Sequence, residues 1–112
     1  MSNLIRGLSE NGGVVFCGVN STEIVRKAEQ LHKTSATCSA ALGRLLTGAA
    51  MMGSMLKDDR DTVTLRVSGN GPAGVLIACT DGTGNVKGCI DNPLVELPLK
   101  AVSYTHLTLP TN

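Results

Sequence analysis

Few side chains in this 112-residue sequence could do covalent or metal chemistry. The first to consider are the four cysteines, Cys17, Cys38, Cys79 and Cys89. No two stand as C-x-C or C-x-x-C, the spacing with which one loop delivers two thiolates to a zinc ion. No secretory leader is recognisable in MSNLIRGLSENGG, which has no long apolar run, so reduced thiols are expected. A reduced cysteine without metal spacing behaves as a small apolar residue, and all four are expected to pack in the interior. The acids give no better start. Asp81, Asp91 and Glu96 are scattered, and Asp58, Asp59 and Asp61 form a solvated loop cluster. No pair is spaced as a general acid and base. Ser9, Ser54 and Ser68 lack a nucleophile-elbow context, and His32 has no metal-spaced partner and reads as structural. No catalytic and no metal-binding residue is assigned.

Gly69-Asn70-Gly71-Pro72-Ala73-Gly74 fits G-x-G-x-x-G. A dinucleotide site needs such glycines to open a helix whose N-terminal N–H groups face the pyrophosphate. Here Pro72 leads instead into GVLIACT, which reads as a strand, and the glycines more simply permit positive φ in a turn. A small-ligand or nucleotide site on the Gly69–Gly74 turn is the alternative reading of function.

The elements around these residues follow from periodicity. LIRGLS and VVFCGV flank Asn11-Gly12, a hairpin signal. In the second run Val15, Cys17 and Val19 share one face while Val14 and Phe16 share the other, so this strand is expected to be covered on both sides. NSTEIVRKAEQLHKT changes period: Ile24, Val25, Ala28 and Leu31 form one apolar stripe of a surface helix, with Asn20 and Glu23 in a capping arrangement. A second helix is expected over Ala36–Lys57 with Ser35 as its N-cap. Leu42, Leu45, Leu46, Ala49, Met52 and Leu56 would line its inner side, and the small opposite side implies a close neighbour. Its apolar run, Ala40–Leu56, is too short for a membrane span and contains Arg44, which should pair with an acid or reach outward. TVTLRVSG, VLIACT and VKGCI, joined by glycine turns, read as an antiparallel meander, and Pro93 and Pro98 keep DNPLVELPLKA extended. The expected fold is α/β of the α+β type: a mixed or antiparallel sheet with a central helix pair packed on it.

Composition narrows the partners. Net charge is +1, and there is no Trp, one Phe and one Tyr. Neither an electrostatic footprint for nucleic acid nor the aromatic supply for stacking single-stranded bases is present. No nucleic-acid and no membrane partner is expected.

ALGRLLTGAAMMGSMLK, VTLRVSGNGPAGVLIA, GNVKGCIDNP and VELPL occur in this order. With LIRGLSENGG and STEIVRKAEQLHKTS before them, the chain resembles the amino-terminal part of the heat-shock protein 33 family, redox-regulated holdase chaperones, over about residues 3 to 100. The resemblance implies an ATP-independent cytoplasmic chaperone that binds unfolded client proteins under oxidative stress, with a possible homodimer in the full-length protein. It also implies a zinc switch built from C-x-C and C-x-x-C in a carboxy-terminal domain. None of Cys17, Cys38, Cys79 or Cys89 matches those ligands, so no zinc or other cofactor is expected in this chain. Residues 1–101 are read as a partial chaperone core domain. Residues 102–112, within VSYTHLTLPTN, are read as a non-native tail like a translated sequencing adapter. The long helix is expected to serve the core first. Its flexible, polarizable Met51, Met52 and Met55 are the candidate client-binding residues.

Overall fold

The computed structural model describes residues 3–96. These form β1 (Asn3–Leu8), β2 (Val15–Asn20), α1 (Thr22–His32), α2 (Ala36–Gly53), β3 (Thr62–Ser68), β4 (Val75–Asp81) and β5 (Val86–Ile90). β1 and β2 make an antiparallel hairpin in the register Asn3↔Asn20 to Leu8↔Val15. The remaining strands form a separate antiparallel meander, β3-β4-β5. The α+β architecture is therefore as expected, with the sheet split in two and the helix pair packed on the meander.

Strand alternation builds the core. Leu76, Ala78 and Thr80 of β4 are buried beneath α2, while Val75, Ile77 and Cys79 face the other way and are half-buried. Helix α2 contributes Cys38, Leu42, Leu46 and Ala49, and β5 contributes Ile90. Missing side chains allow this contact. A Cβ on Gly88 would stand 2.9 Å from Leu46 Cδ2 and 2.8 Å from the Ile77 carbonyl oxygen. At the far end of α2, a Cβ on Gly53 would collide with Thr80 Oγ1. The expected close neighbour of the small helix side is α1, where a Cβ on Gly43 would lie 2.9 Å from Val25 Cγ1.

The last described segment closes over the start of α2. Ser35 is the N-cap, its hydroxyl accepting from Cys38 N–H at 3.4 Å and donating to the Val95 carbonyl. Ser35 N–H donates to Pro93 O at 2.7 Å. The buried Cys38 thiol donates to Asn92 O at 3.3 Å, and Glu96 Oε1 accepts from Ala36 N–H at 3.0 Å. A carboxylate there answers the positive end of the helix dipole.

Several expectations are corrected. Helix α2 stops at Gly53 rather than Lys57: Met55 N–H turns back to Met52 O and Leu56 N–H to Gly53 O, three-residue turns that end the helical ladder. Met52 and Leu31 are exposed, since the helices meet through Gly43 and Val25 and leave these outer positions open. Of the cysteines only Cys38 is buried. Cys17 and Cys79 are half-buried and Cys89 is exposed on the outer face of the meander. At the start of α1 the cap position falls to Ser21, and Asn20 Oδ1 instead accepts from the Thr22 hydroxyl at 2.8 Å and its N–H at 3.2 Å. Helix α1 ends without glycine, at Lys33 with φ 52°, whose N–H bonds Glu29 O. Strand β2 is not covered on both sides: Val15 and Phe16, on its two faces, are both exposed. Pro98 and the tail 102–112 lie outside the described residues.

The β4–β5 turn is organised by one carboxylate. Asp81 Oδ1 accepts from Thr83 N–H, the Thr83 hydroxyl and Asn85 N–H at 2.9, 2.6 and 3.1 Å, and Oδ2 accepts from Asn85 Nδ2 at 3.0 Å. The Thr83 and Asn85 donors hold its carboxyl well below the usual aspartate range. A depressed carboxylate pKa stabilises the fold above the unfolded value and loses that contribution as pH falls toward the folded one. Asp81→Asn should therefore lower Tm at neutral pH, and the gap to the parent should narrow as pH drops below the ordinary aspartate value of 3.8, read by thermal melts across the acid range. A second prediction separates two glycines of α2. Gly48 has nothing within 4 Å of a built Cβ, so Gly48→Ala should stabilise by up to about 1 kcal/mol through helix propensity. Gly53→Ala should destabilise by about 1–3 kcal/mol through overpacking against Thr80, both measured by urea denaturation.

Candidate client-binding surface

The three methionines sit at the carboxy-terminal end of α2 and just beyond it. Met51 is half-buried and lines a groove with Val25, Gly43, Arg44 and Thr47. Met52 and Met55 are 44% and 55% exposed. Met55 stands four residues after Met51 and three after Met52, so helical spacing sets it beside both, but Met51 is half-buried and only Met52 and Met55 are exposed. Arg44 is exposed and points outward, with no acid paired to it among the described residues.

The larger apolar exposure lies on the hairpin, which sequence reasoning had taken to be covered. Ile5, Val15 and Phe16 are 66%, 66% and 55% exposed, and Leu8 and Val14 are exposed as well. Pairing explains this arrangement. Phe16 lies opposite Gly7 with its ring over the space a Gly7 side chain would need, and Ile5 lies opposite Gly18, 3.6 Å from where a Cβ would stand. Large side chains thus close over glycines of the neighbouring strand and present their outer surfaces to solvent. The signal was present as two apolar faces on VVFCGV. What a single sequence did not show is that no described element covers the outer one.

Polar contacts, rather than a packed seam, hold the hairpin to the methionines. Arg6 Nη1 donates to the Ser54 carbonyl at 2.8 Å, placing a cation at the negative end of α2. Cys17 Sγ lies 3.7 Å from Ser54 Oγ, which itself donates to Met51 O at 2.6 Å. Beside these contacts a cavity of about 370 Å³ separates Leu4, Arg6 and Val19 from Ala50 and the Gly82–Gly84 turn. Ser54 therefore joins the hairpin face that carries Leu8 and Val15 to the Met52–Met55 end of α2.

The other candidate residues do not converge. Cys17, Cys38, Cys79 and Cys89 lie on β2, α2, β4 and β5. Among the described residues no group of three His, Cys, Asp or Glu could hold a metal ion. Cys79 pairs across with Lys87, and Cys89 with Ile77, so these two thiols are diagonal neighbours. This set does not fit a zinc site. The Gly69–Gly74 turn joins β3 to β4 and opens no helix, so it lacks the N-terminal N–H groups a phosphate would need. Only Gly74 of its glycines has positive φ, and a Cβ there would lie 2.8 Å from the Asp91 side chain. Asn92 Nδ2 and N–H bond the carbonyls of Pro72 and Ala73, tying the turn to the segment after β5. No described helix is long and apolar enough to cross a membrane.

Comparison with known proteins finds this chain similar to 33 kDa chaperonins. The chain is 46% identical over 96 residues to the 33 kDa chaperonin of Clostridium tetani, covering 86% of this chain and 33% of that protein. It is 44% identical over 95 residues to the 33 kDa chaperonin of Alkaliphilus metalliredigens, covering 85% and 32%. The crystal structure of the 33 kDa chaperonin (heat shock protein 33 homolog) of Thermotoga maritima superposes with a TM-score of 0.82 at 34% identity, over 88% of this chain and 33% of that one. The model of the family described as Hsp33 protein matches residues 2–109, and the chain belongs to that family. It spans about a third of the length of the relatives it matches.

Because Arg6 caps α2 from the hairpin, Arg6→Gln should loosen the hairpin before the core. The expected loss is about 1 kcal/mol. It should appear in hydrogen exchange as faster exchange of β1 and β2 amides with β4 unchanged.

Proposed function

We propose that this chain forms part of an ATP-independent holdase that binds unfolded polypeptides through exposed apolar surface. The relatives' name, 33 kDa chaperonin, supports a chaperone role. The observation that carries the mechanism is the exposed apolar area of the hairpin and the adjoining end of α2: Leu8 and Val15 on the hairpin face that carries Arg6 and Cys17, Ile5 and Phe16 on the opposite face, and Met52 and Met55 beyond the Ser54 contacts. Exposed apolar area of this kind recovers hydrophobic free energy by covering apolar segments of another chain. Methionine adapts to many side-chain shapes, which suits clients without a common sequence. No bond is made or broken in this scheme, so it calls for neither nucleotide nor catalytic residue. Redox regulation through zinc, a stress-response role in the cytoplasm and homodimer formation are proposed for full-length members of the family, of which this chain spans about a third. No zinc ligand is assigned within this chain.

Light scattering of a heat-labile client tests the reading. The chain should suppress aggregation in proportion to its concentration, with no effect of added ATP. Met52→Gln with Met55→Gln should cut suppression at least severalfold, and Ile5→Thr should add to the loss, at unchanged circular dichroism. Undiminished suppression by the triple variant would remove this surface as the client site.

A further inference from the structure

The outer edge of β5 combines three features that the chaperone reading does not use. The first is its backbone. Asp81 N–H donates to Asn85 O, and Asp91 N–H donates to Val75 O, at the two ends of the β4–β5 ladder. In an antiparallel pair, hydrogen-bonded residues alternate. Lys87 and Cys89 therefore bond β4, and Val86, Gly88 and Ile90 turn their N–H and C=O groups outward. No strand among the described residues pairs with that edge.

The second feature is a cleft of about 230 Å³ between this edge and α1, lined by Ile24, Ala28, Leu31, Leu46, Val86 and Gly88. Leu31, 69% exposed, stands at its mouth. The third is charge. Lys27, His32 and Lys87 complete the lining, and both lysines are exposed. The ion pair formed between described residues, Arg60–Asp58, lies elsewhere.

We infer that the β5 edge and the cleft under α1 bind an extended polypeptide segment in which an apolar side chain alternates with carboxylates. The segment adds a strand to β5 through the outward groups of Val86 and Gly88. Strand alternation then sends one side chain toward the helices, into the cleft against Ile24, Ala28 and Leu46, and the next toward the opposite face, where Lys87 projects. Lys27 and His32, on the α1 side, add to the positive rim of the cleft without meeting those carboxylates directly. The backbone edge favours a peptide over a free fatty acid, and the positive rim favours acidic over basic segments. This site lies apart from the hairpin and the methionines, so it stands or falls independently of aggregation suppression.

Fluorescence anisotropy with short labelled peptides tests it on this chain. A peptide alternating Val with Glu should bind, and its counterpart alternating Val with Lys should bind about tenfold more weakly. Lys27→Glu with Lys87→Glu should reverse that preference. Val86→Pro removes an outward N–H at a position where an edge strand tolerates proline, and should weaken the acidic peptide about tenfold with the circular dichroism spectrum retained. Backbone N-methylation of the peptide at alternate residues should do the same. Equal binding of the two charge versions, equal binding of the N-methylated peptide, or occupation of the cleft by decanoate with no binding of the acidic peptide would each overturn the inference.

Discussion

The close seating of α2 on the meander is the contact on which the rest of the structure depends. Leu42 and Leu46 enter a hollow that exists because position 88 has no side chain, and the end of the helix reaches β4 because position 53 has none. Ala78, which pairs with Gly88 across β4 and β5, is fully buried beneath the helix. Each of these glycines costs helix or strand stability in isolation. The dispersion contacts and apolar burial gained along α2 offset that cost only if the helix lies this close. The approach is therefore cooperative: Gly53, Gly88 and the leucines are useful together and unfavourable apart. With few aromatic residues to fill space, the chain reaches core density by bringing backbones together.

The hairpin is built on a different principle. Its bulky residues cover its own glycines, Phe16 over Gly7 and Ile5 over Gly18, so it satisfies much of its packing within two strands. An isolated hairpin is marginal in water, and this one needs the helix beside it. What it receives from the helix is chiefly polar: the Arg6 bond to the Ser54 carbonyl and the Cys17–Ser54 contact. Polar anchoring consumes little apolar area. The outer surfaces of Ile5, Val15 and Phe16 consequently stay in solvent, where a tightly packed seam would have hidden some of them. The structure thus separates a closed unit, α2 on β3-β4-β5, from an open one.

Much of the closed unit was legible in the sequence. The alternation of TVTLRVSG and the period of LGRLLTGAAMM gave strand and helix, and Ser35 acted as the expected cap because its short hydroxyl can reach the Cys38 N–H. Glycine content gave warning of close approach without saying where. Gly43, Gly48 and Gly53 look alike in sequence, yet one meets Val25, one meets nothing and one meets Thr80. The end of α2 was misplaced because Met55 and Leu56 continue the apolar period after Gly53 has already turned the chain. The open unit was misread for a related reason. Two apolar faces on a strand mean two coverings only when the chain at hand supplies both, and periodicity carries no information on that supply. The role of DNPLVE was hidden because it rests on backbone carbonyls of Asn92, Pro93 and Val95, which any residue could offer. The cationic cleft at β5 was equally hidden, since Lys27, His32 and Lys87 meet only through tertiary packing.

The two ends of α2 show how polar groups fix the geometry that the apolar core leaves free. A helix seated by a leucine stripe still has freedom to slide and to rotate slightly, because hydrophobic contact is not directional. At its start, Glu96 and the Ser35 cap meet unsatisfied N–H groups. At its end, Arg6 meets an unsatisfied carbonyl. The signs match the helix dipole at both termini, acid at the positive end and cation at the negative end. Hydrogen bonds to backbone groups constrain direction as well as distance. They therefore set where the segment 91–96 and the hairpin sit relative to the sheet without adding apolar contact. That division lets a chain with a small core keep its architecture while leaving large apolar side chains exposed. A second packed interface would have held the hairpin at the expense of the surface it presents.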